Sequence, residues 1–88
     1  MPRYRIEISN EAERVLRRMR LVEPELHRRV SQALDDLGRD PSQGKRLKGA
    51  LSGRYSYRVG SDRILYVVRH HALLVLVIDI GHRRDIYR

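Results

Sequence analysis

The chain of 88 residues contains no cysteine, so neither a disulfide framework nor thiolate chemistry is open to it. Its longest apolar run, Ala72–Ile78, falls far short of the ~20 residues that cross a bilayer as a helix. The N-terminus opens on charged, strand-like sequence without a hydrophobic signal segment, and a reducing, cytoplasmic setting is the expectation. Repeats, low-complexity stretches and linkers are lacking, so residues 1–88 read as one small domain. Such a domain buries only ~60–65% of its unfolded surface and has modest stability. The histidines His27, His70, His71 and His82 have no Asp, Glu or His partners at metal-ligand spacing, so neither a metal nor another cofactor is expected.

Acidic residues are scarce in one half only. Up to Gly44 the chain has 9 basic and 8 acidic residues, net +1; from Lys45 onward it has 10 basic and 3 acidic, net +7, out of +8 in all. The excess charge sits on a loop and on strand-like sequence rather than in a tail. Fixed guanidinium groups of that kind suit a polyanion such as nucleic acid, although an acidic protein is a second partner that the same charge would fit.

Tyr4–Ile8 alternates apolar and charged residues, as a half-buried strand does. Ser9-Asn10 offers a helix N-cap, with Glu13 completing a capping box on Asn10. Ala12, Val15, Leu16 and Met19 then form the stripe of an amphipathic helix. Glu23-Pro24 opens a second helix with proline in its first position; its stripe is Leu26, Val30, Ala33, Leu34 and Leu37, and Gly38 is the natural stop. Arg14, Arg17, Arg18, Arg28 and Arg29 lie on the outer, solvated faces. Residues 40–53 read as a loop carrying Lys45, Arg46 and Lys48, with Leu47 and Leu51 pinning it to the core. Three strands follow, Tyr55–Val59, Arg63–Arg69 and Ala72–Ile80, joined by short hairpin connections. The last is almost wholly apolar and is expected to be central and covered on both faces. The pattern predicts an α+β fold: a helical hairpin on one face of a small four-stranded, mainly antiparallel sheet, in the order β-α-α-β-β-β.

In Tyr55–Val59 the apolar face is Tyr55, Tyr57 and Val59, and Tyr66 joins them as core. The other face carries Arg54, Ser56 and Arg58. Arg63 begins the next strand across the turn, and Arg83 follows the end of the last one. Three arginines around one concavity repel one another unless an anion binds; alternatively each is exposed and loosely paired to Asp62, Asp79 or Asp85.

Lys48-Gly49, Tyr55-x-x-Arg58-Val59, Asp62-Arg63-Ile64-x-Tyr66 and Ile80-Gly81-His82-Arg83-Arg84-Asp85-Ile86-Tyr87, in that order and at these separations, resemble the RelE/ParE toxin superfamily of type II toxin–antitoxin systems over essentially the whole chain. The resemblance implies a RelE-like fold and a cognate antitoxin that neutralises the toxin. In the RelE branch it implies entry into the ribosome and metal-independent cleavage of mRNA in the A site, by attack of a ribose 2′-OH on the adjacent phosphate. In the ParE branch it implies a gyrase inhibitor without nuclease activity. By resemblance, Arg63 stabilises the phosphate, Arg83 protonates the leaving group and Tyr87 stacks on or orients the nucleotide. Arg58 and Ser56 stand where the best-known RelE enzymes carry lysines. An arginine is always protonated and is a poor base, which leaves His82 as the titratable group at the mouth of the site. Lys45, Arg46, Lys48, Arg54 and Arg84 suit sequence-independent RNA contacts. A non-toxic basic binding domain is the more distant reading.

Overall fold

The computed structural model describes residues 3–82. Strand β1 (Arg5–Ile8) leads into helices α1 (Asn10–Val22) and α2 (Pro24–Arg39); then come β2 (Lys45–Arg46), β3 (Tyr55–Val59), β4 (Asp62–Arg69) and β5 (Leu74–His82). The five strands form one sheet in the order β1-β5-β4-β3-β2. The β1–β5 pair is parallel and the other three are antiparallel. The expected α+β architecture is present with one more strand than expected: Lys45 and Arg46, read as loop, pair with Ser56 and Tyr55 at the sheet edge. A two-residue strand carries no alternation for a sequence pattern to reveal.

The helical hairpin covers one face of the sheet. Ala12, Met19, Val30, Ala33 and Leu37 from the helices meet Val59, Ile64, Tyr66, Val75, Val77 and Ile80 from the strands. At about 1.5–3 kcal/mol for each fully buried Val, Leu or Ile side chain, this cluster is the main source of stability. The five ion pairs among the described residues lie at the surface, where solvent screening leaves such pairs a small contribution. Leu47 and Leu51 are half-buried but do not pack against this cluster, contrary to the expectation that they pin the loop to the core.

Strand β5 is central, between β1 and β4, but it is not sealed on both faces. Val75, Val77 and Ile80 are buried, whereas Leu74, Leu76 and Ile78 are only half-buried, because both helices lie on the same side. Its register contains a bulge. Leu65 pairs with Asp79 and Tyr66 with Val77, leaving Ile78 as the extra residue. Strict alternation after Val75 and Val77 would aim Asp79 into the core and Ile80 outward. The bulge shifts the phase by one, so Ile80 is 2% exposed and the carboxylate is spared burial.

Two side chains hold the bulge. The Asp79 carboxylate accepts the Ile80 N–H at 2.9 Å. The Ser9 hydroxyl donates to the Ile78 carbonyl at 2.5 Å while accepting the Ala12 N–H at 3.1 Å. Ser9 is therefore the N-cap of α1, one residue before the Asn10-based capping box that the sequence suggested; the competing demand of the Ile78 carbonyl fixes the choice. Gly38 likewise is not a left-handed stop. It sits inside the last turn of α2, its carbonyl accepts the Tyr4 N–H at 2.8 Å, and a Cβ there would lie 3.3 Å from the Tyr4 carbonyl oxygen. Its small size lets β1 approach the helix.

Tyr66 anchors the loop that delivers β2. Its hydroxyl donates to the Pro41 carbonyl at 2.7 Å and accepts the Gly44 N–H at 3.0 Å. A Cβ on Gly44 would fall 2.2 Å from that oxygen, so only glycine fits. Tyr55 stacks on Tyr66 with ring centroids 5.3 Å apart.

Two predictions follow from these contacts. Ser9→Ala should lower unfolding stability by about 1–2 kcal/mol in a denaturant titration, because it removes a cap and orphans a carbonyl together. Burial pushes the Tyr66 phenol from 10.0 up to about 12. A folded-state value above the unfolded one favours the protonated form in the fold, so this stabilisation is complete below pH 10 and is lost as pH rises through about 12. Urea titrations across that window should show the loss in the parent, and Tyr66→Phe should lack this component.

Candidate active site

The β3–β4 hairpin builds the site. Val59 pairs with Asp62 across the two-residue turn Gly60-Ser61, and Arg58 pairs with Arg63. Gly60 has φ of +61°, a left-handed value that glycine takes without strain. The sheet phase puts Tyr57, Val59 and Ile64 toward the helices and aims Arg58 and Arg63 at the open face. Gly81 on β5 is the residue opposite Arg63, so the position directly across from it carries no side chain.

Arg58, Gly60, Ser61, Arg63 and His82 line a cleft of about 200 Å³. The Arg58 Nε donates to the Gly60 carbonyl at 3.1 Å, which folds its side chain back over the turn. Among the described residues, neither Arg58 nor Arg63 forms an ion pair, so the loose pairing to Asp62 or Asp79 that the sequence left open is not adopted; Asp85, the third candidate, lies outside the described residues. Asp79 is instead bonded to the Ile80 N–H. His82 stands opposite Asp62 at the end of β5 and is exposed. Two adjacent guanidinium groups without carboxylate partners among the described residues form a positive concavity, suited to the distributed charge of a phosphate or phosphorane. No three His, Asp or Glu side chains among the described residues are grouped to hold a metal ion.

The other sequence-derived candidates divide. Lys45 lies opposite Ser56, on the same face as Arg58. Ser56 itself is 3% exposed, so its position is part of the buried floor beside Leu65. Arg46 points the other way: its guanidinium carbon lies 6.0 Å from the Tyr55 ring centroid, on the helix side, and it does not join the cleft. Lys48 is exposed in the loop and Arg54 is half-buried just before β3. Arg83, Arg84 and Tyr87 lie outside the described residues. One cation at this turn was read as solvated helix surface: a Cβ on Gly60 would meet the Arg29 Nη1 and Nη2 atoms at 3.5 Å. No sequence signal marks it, because α2 and the turn are brought together by tertiary packing alone.

A family described as the ParE toxin of type II toxin–antitoxin systems, parDE, matches residues 6–87. The chain belongs to the RelE/ParE toxin superfamily. It is similar to Toxin RelG of Mycobacterium tuberculosis (strain ATCC 25618 / H37Rv), with 40% identity over 60 residues that cover 67% of this chain and 69% of that one. Among solved structures, the RelBE2 toxin–antitoxin complex from Mycobacterium tuberculosis superposes with a TM-score of 0.83 at 30% identity, covering 97% of each chain. The archaeal RelE–RelB complex from Pyrococcus horikoshii OT3 superposes with a TM-score of 0.77 at 22% identity, over 97% of this chain and 99% of that one, a likeness of fold. This RelE/ParE toxin thus shares its fold with both, and the arginine hairpin described above is built on that frame.

Proposed function

We propose that this protein is the toxin of a type II toxin–antitoxin system, acts as a ribosome-dependent mRNA endonuclease, and is neutralised by a cognate antitoxin. The observation that carries the reading is the cross-strand pair Arg58–Arg63, without carboxylate partners among the described residues, sharing one cleft with His82. In this reading the imidazole of His82 takes the proton of a ribose 2′-OH. The freed oxygen attacks the adjacent phosphorus, and Arg58 and Arg63 neutralise the growing phosphorane charge. The bond to the 5′-oxygen breaks, that oxygen takes a proton from Arg83, and the products are a 2′,3′-cyclic phosphate and a 5′-hydroxyl. Tyr87 stacks on the substrate base, at about 1–3 kcal/mol for such a contact. Lys45, Lys48, Arg54 and Arg84 bear on RNA phosphates, whereas Arg46 is turned over Tyr55 on the helix side. The roles of Arg83, Arg84 and Tyr87 rest on the resemblance.

A second reading has its own support. The matching family is described by the ParE toxin, and Ser56 and Arg58 replace two lysines of the best-known RelE enzymes. A gyrase inhibitor would need the positive surface but no proton acceptor.

Primer extension on mRNA in a purified translation system, with and without the protein, separates the two. The nuclease reading predicts cuts confined to the A-site codon. It also predicts a cleavage rate roughly 100-fold lower for Arg63→Ala, as for loss of one charge-stabilising donor, and at least as low for His82→Gln. Intact mRNA with DNA cleavage complexes in a gyrase assay would establish the alternative.

A further inference from the structure

A second groove, of about 280 Å³, opens between α2 and β3 and is lined by Arg28, Arg29, Gln32, Asp36, Arg58 and Gly60 among others. It meets the first cleft at Arg58 and Gly60, which line both. The side chains sharing this space are not equivalent. Arg28 is bonded to Glu25, Nη2 to Oε1 at 2.6 Å. Its guanidinium holds the Glu25 carboxyl below the usual carboxylate range. Asp36 is engaged by Arg39 and by the Gln32 amide. Arg29 has no ion pair among the described residues, and it lies over the Gly60 turn. Arg58 reaches the same turn from the other side through its bond to the Gly60 carbonyl. Among the described residues, Arg29, Arg58 and Arg63 therefore surround one hairpin turn without a carboxylate bonded to any of them, while the neighbouring Arg28 is bonded to Glu25, whose carboxyl feels Arg29 only as the weakest of its influences, through space.

We propose that the α2–β3 groove is a second phosphate subsite, in which Arg29 binds the RNA backbone next to the phosphate held between Arg58 and Arg63. The proposal rests on the nuclease reading and extends it. The bound strand crosses the Gly60 turn, and Arg58 serves both phosphates. A chain of guanidinium groups with no carboxylate bonded to them among the described residues gains from a polyanion, since binding relieves their mutual repulsion and releases counterions from the RNA. The ligand chemistry is a phosphodiester, supplied either by the mRNA strand or by ribosomal RNA. Arg29 is a positioning residue here, with no part in the bond-making step.

The test compares wild type, Arg29→Gln, Arg28→Gln and Arg63→Gln in two arms. One titrates a short, fluorescent single-stranded RNA at several salt concentrations; the other measures retention on purified ribosomes. If Arg29 touches a phosphate, Arg29→Gln weakens binding by roughly tenfold and makes the dependence of log K on log salt shallower by about 0.7. Arg28→Gln should change either quantity much less. A loss in the oligonucleotide arm assigns the contact to the mRNA strand, and a loss confined to the ribosome arm assigns it to ribosomal RNA. If Arg63→Gln weakens binding but Arg29→Gln matches wild type in both arms, the subsite is wrong while the nuclease reading stands. If Arg29→Gln loosens only a complex with the antitoxin, the groove is a protein interface and the proposal fails. If wild type binds neither probe, both readings fall together.

Discussion

The bulge at Ile78 is the constraint on which the rest of the structure depends. It is one extra residue in the central strand, and it decides the phase of everything C-terminal to it. With it, Ile80 completes the core against Ile64 and Asp79 stays on the open face. It also sets Gly81, rather than a larger side chain, opposite Arg63. Ser9 ties the bulged carbonyl to the start of α1, so the helical hairpin and the sheet register are fixed by one hydroxyl. A strand that kept strict alternation would bury a carboxylate without a partner, at a cost of several kcal/mol.

From that register the site follows by sheet geometry. Alternation places the tyrosines of β3 and β4 under the helices and the arginines of the hairpin on the opposite face. The charge is thus carried by hydrogen-bonded backbone, and little conformational entropy is lost when an anion is engaged. Most of the described carboxylates are used elsewhere: Glu7, Glu11, Glu25, Asp35 and Asp36 in surface pairs, Asp40 in a cap and Asp79 in holding the bulge. A positive concavity with no carboxylate bonded to it among the described residues is costly for folding and useful for binding, as functional sites commonly are.

The helical hairpin was legible because its apolar stripes are regular and Pro24 punctuates them, and the nearness of Arg58 to Arg63 was legible because a short connection joins their strands, but their direct cross-strand pairing was not, because it depends on Asp62 belonging to β4 rather than to the turn. Features that depend on contacts distant in sequence were not. Lys45-Arg46 is too short to show a period. Ser9 and Asn10 are equally good caps until the Ile78 carbonyl selects one. Gly38 looks like a helix stop until β1 is seen to press against it. The apolar run of β5 suggested burial on both faces because neither its bulge nor the one-sided placement of the helices is written in hydropathy. Arg29 looks like any solvated arginine until packing sets it over Gly60.

The measurement closest to the central claim is a thermal unfolding comparison of Ile80→Asp with Ile78→Asp. With Ile78 as the bulged, half-exposed residue and Ile80 in the core, Ile80→Asp should abolish the cooperative transition or lower its midpoint far more than Ile78→Asp does. If Ile80→Asp were tolerated as well as Ile78→Asp, the strand would not be phased as described, and the assembly of the arginine cleft from it would have to be abandoned.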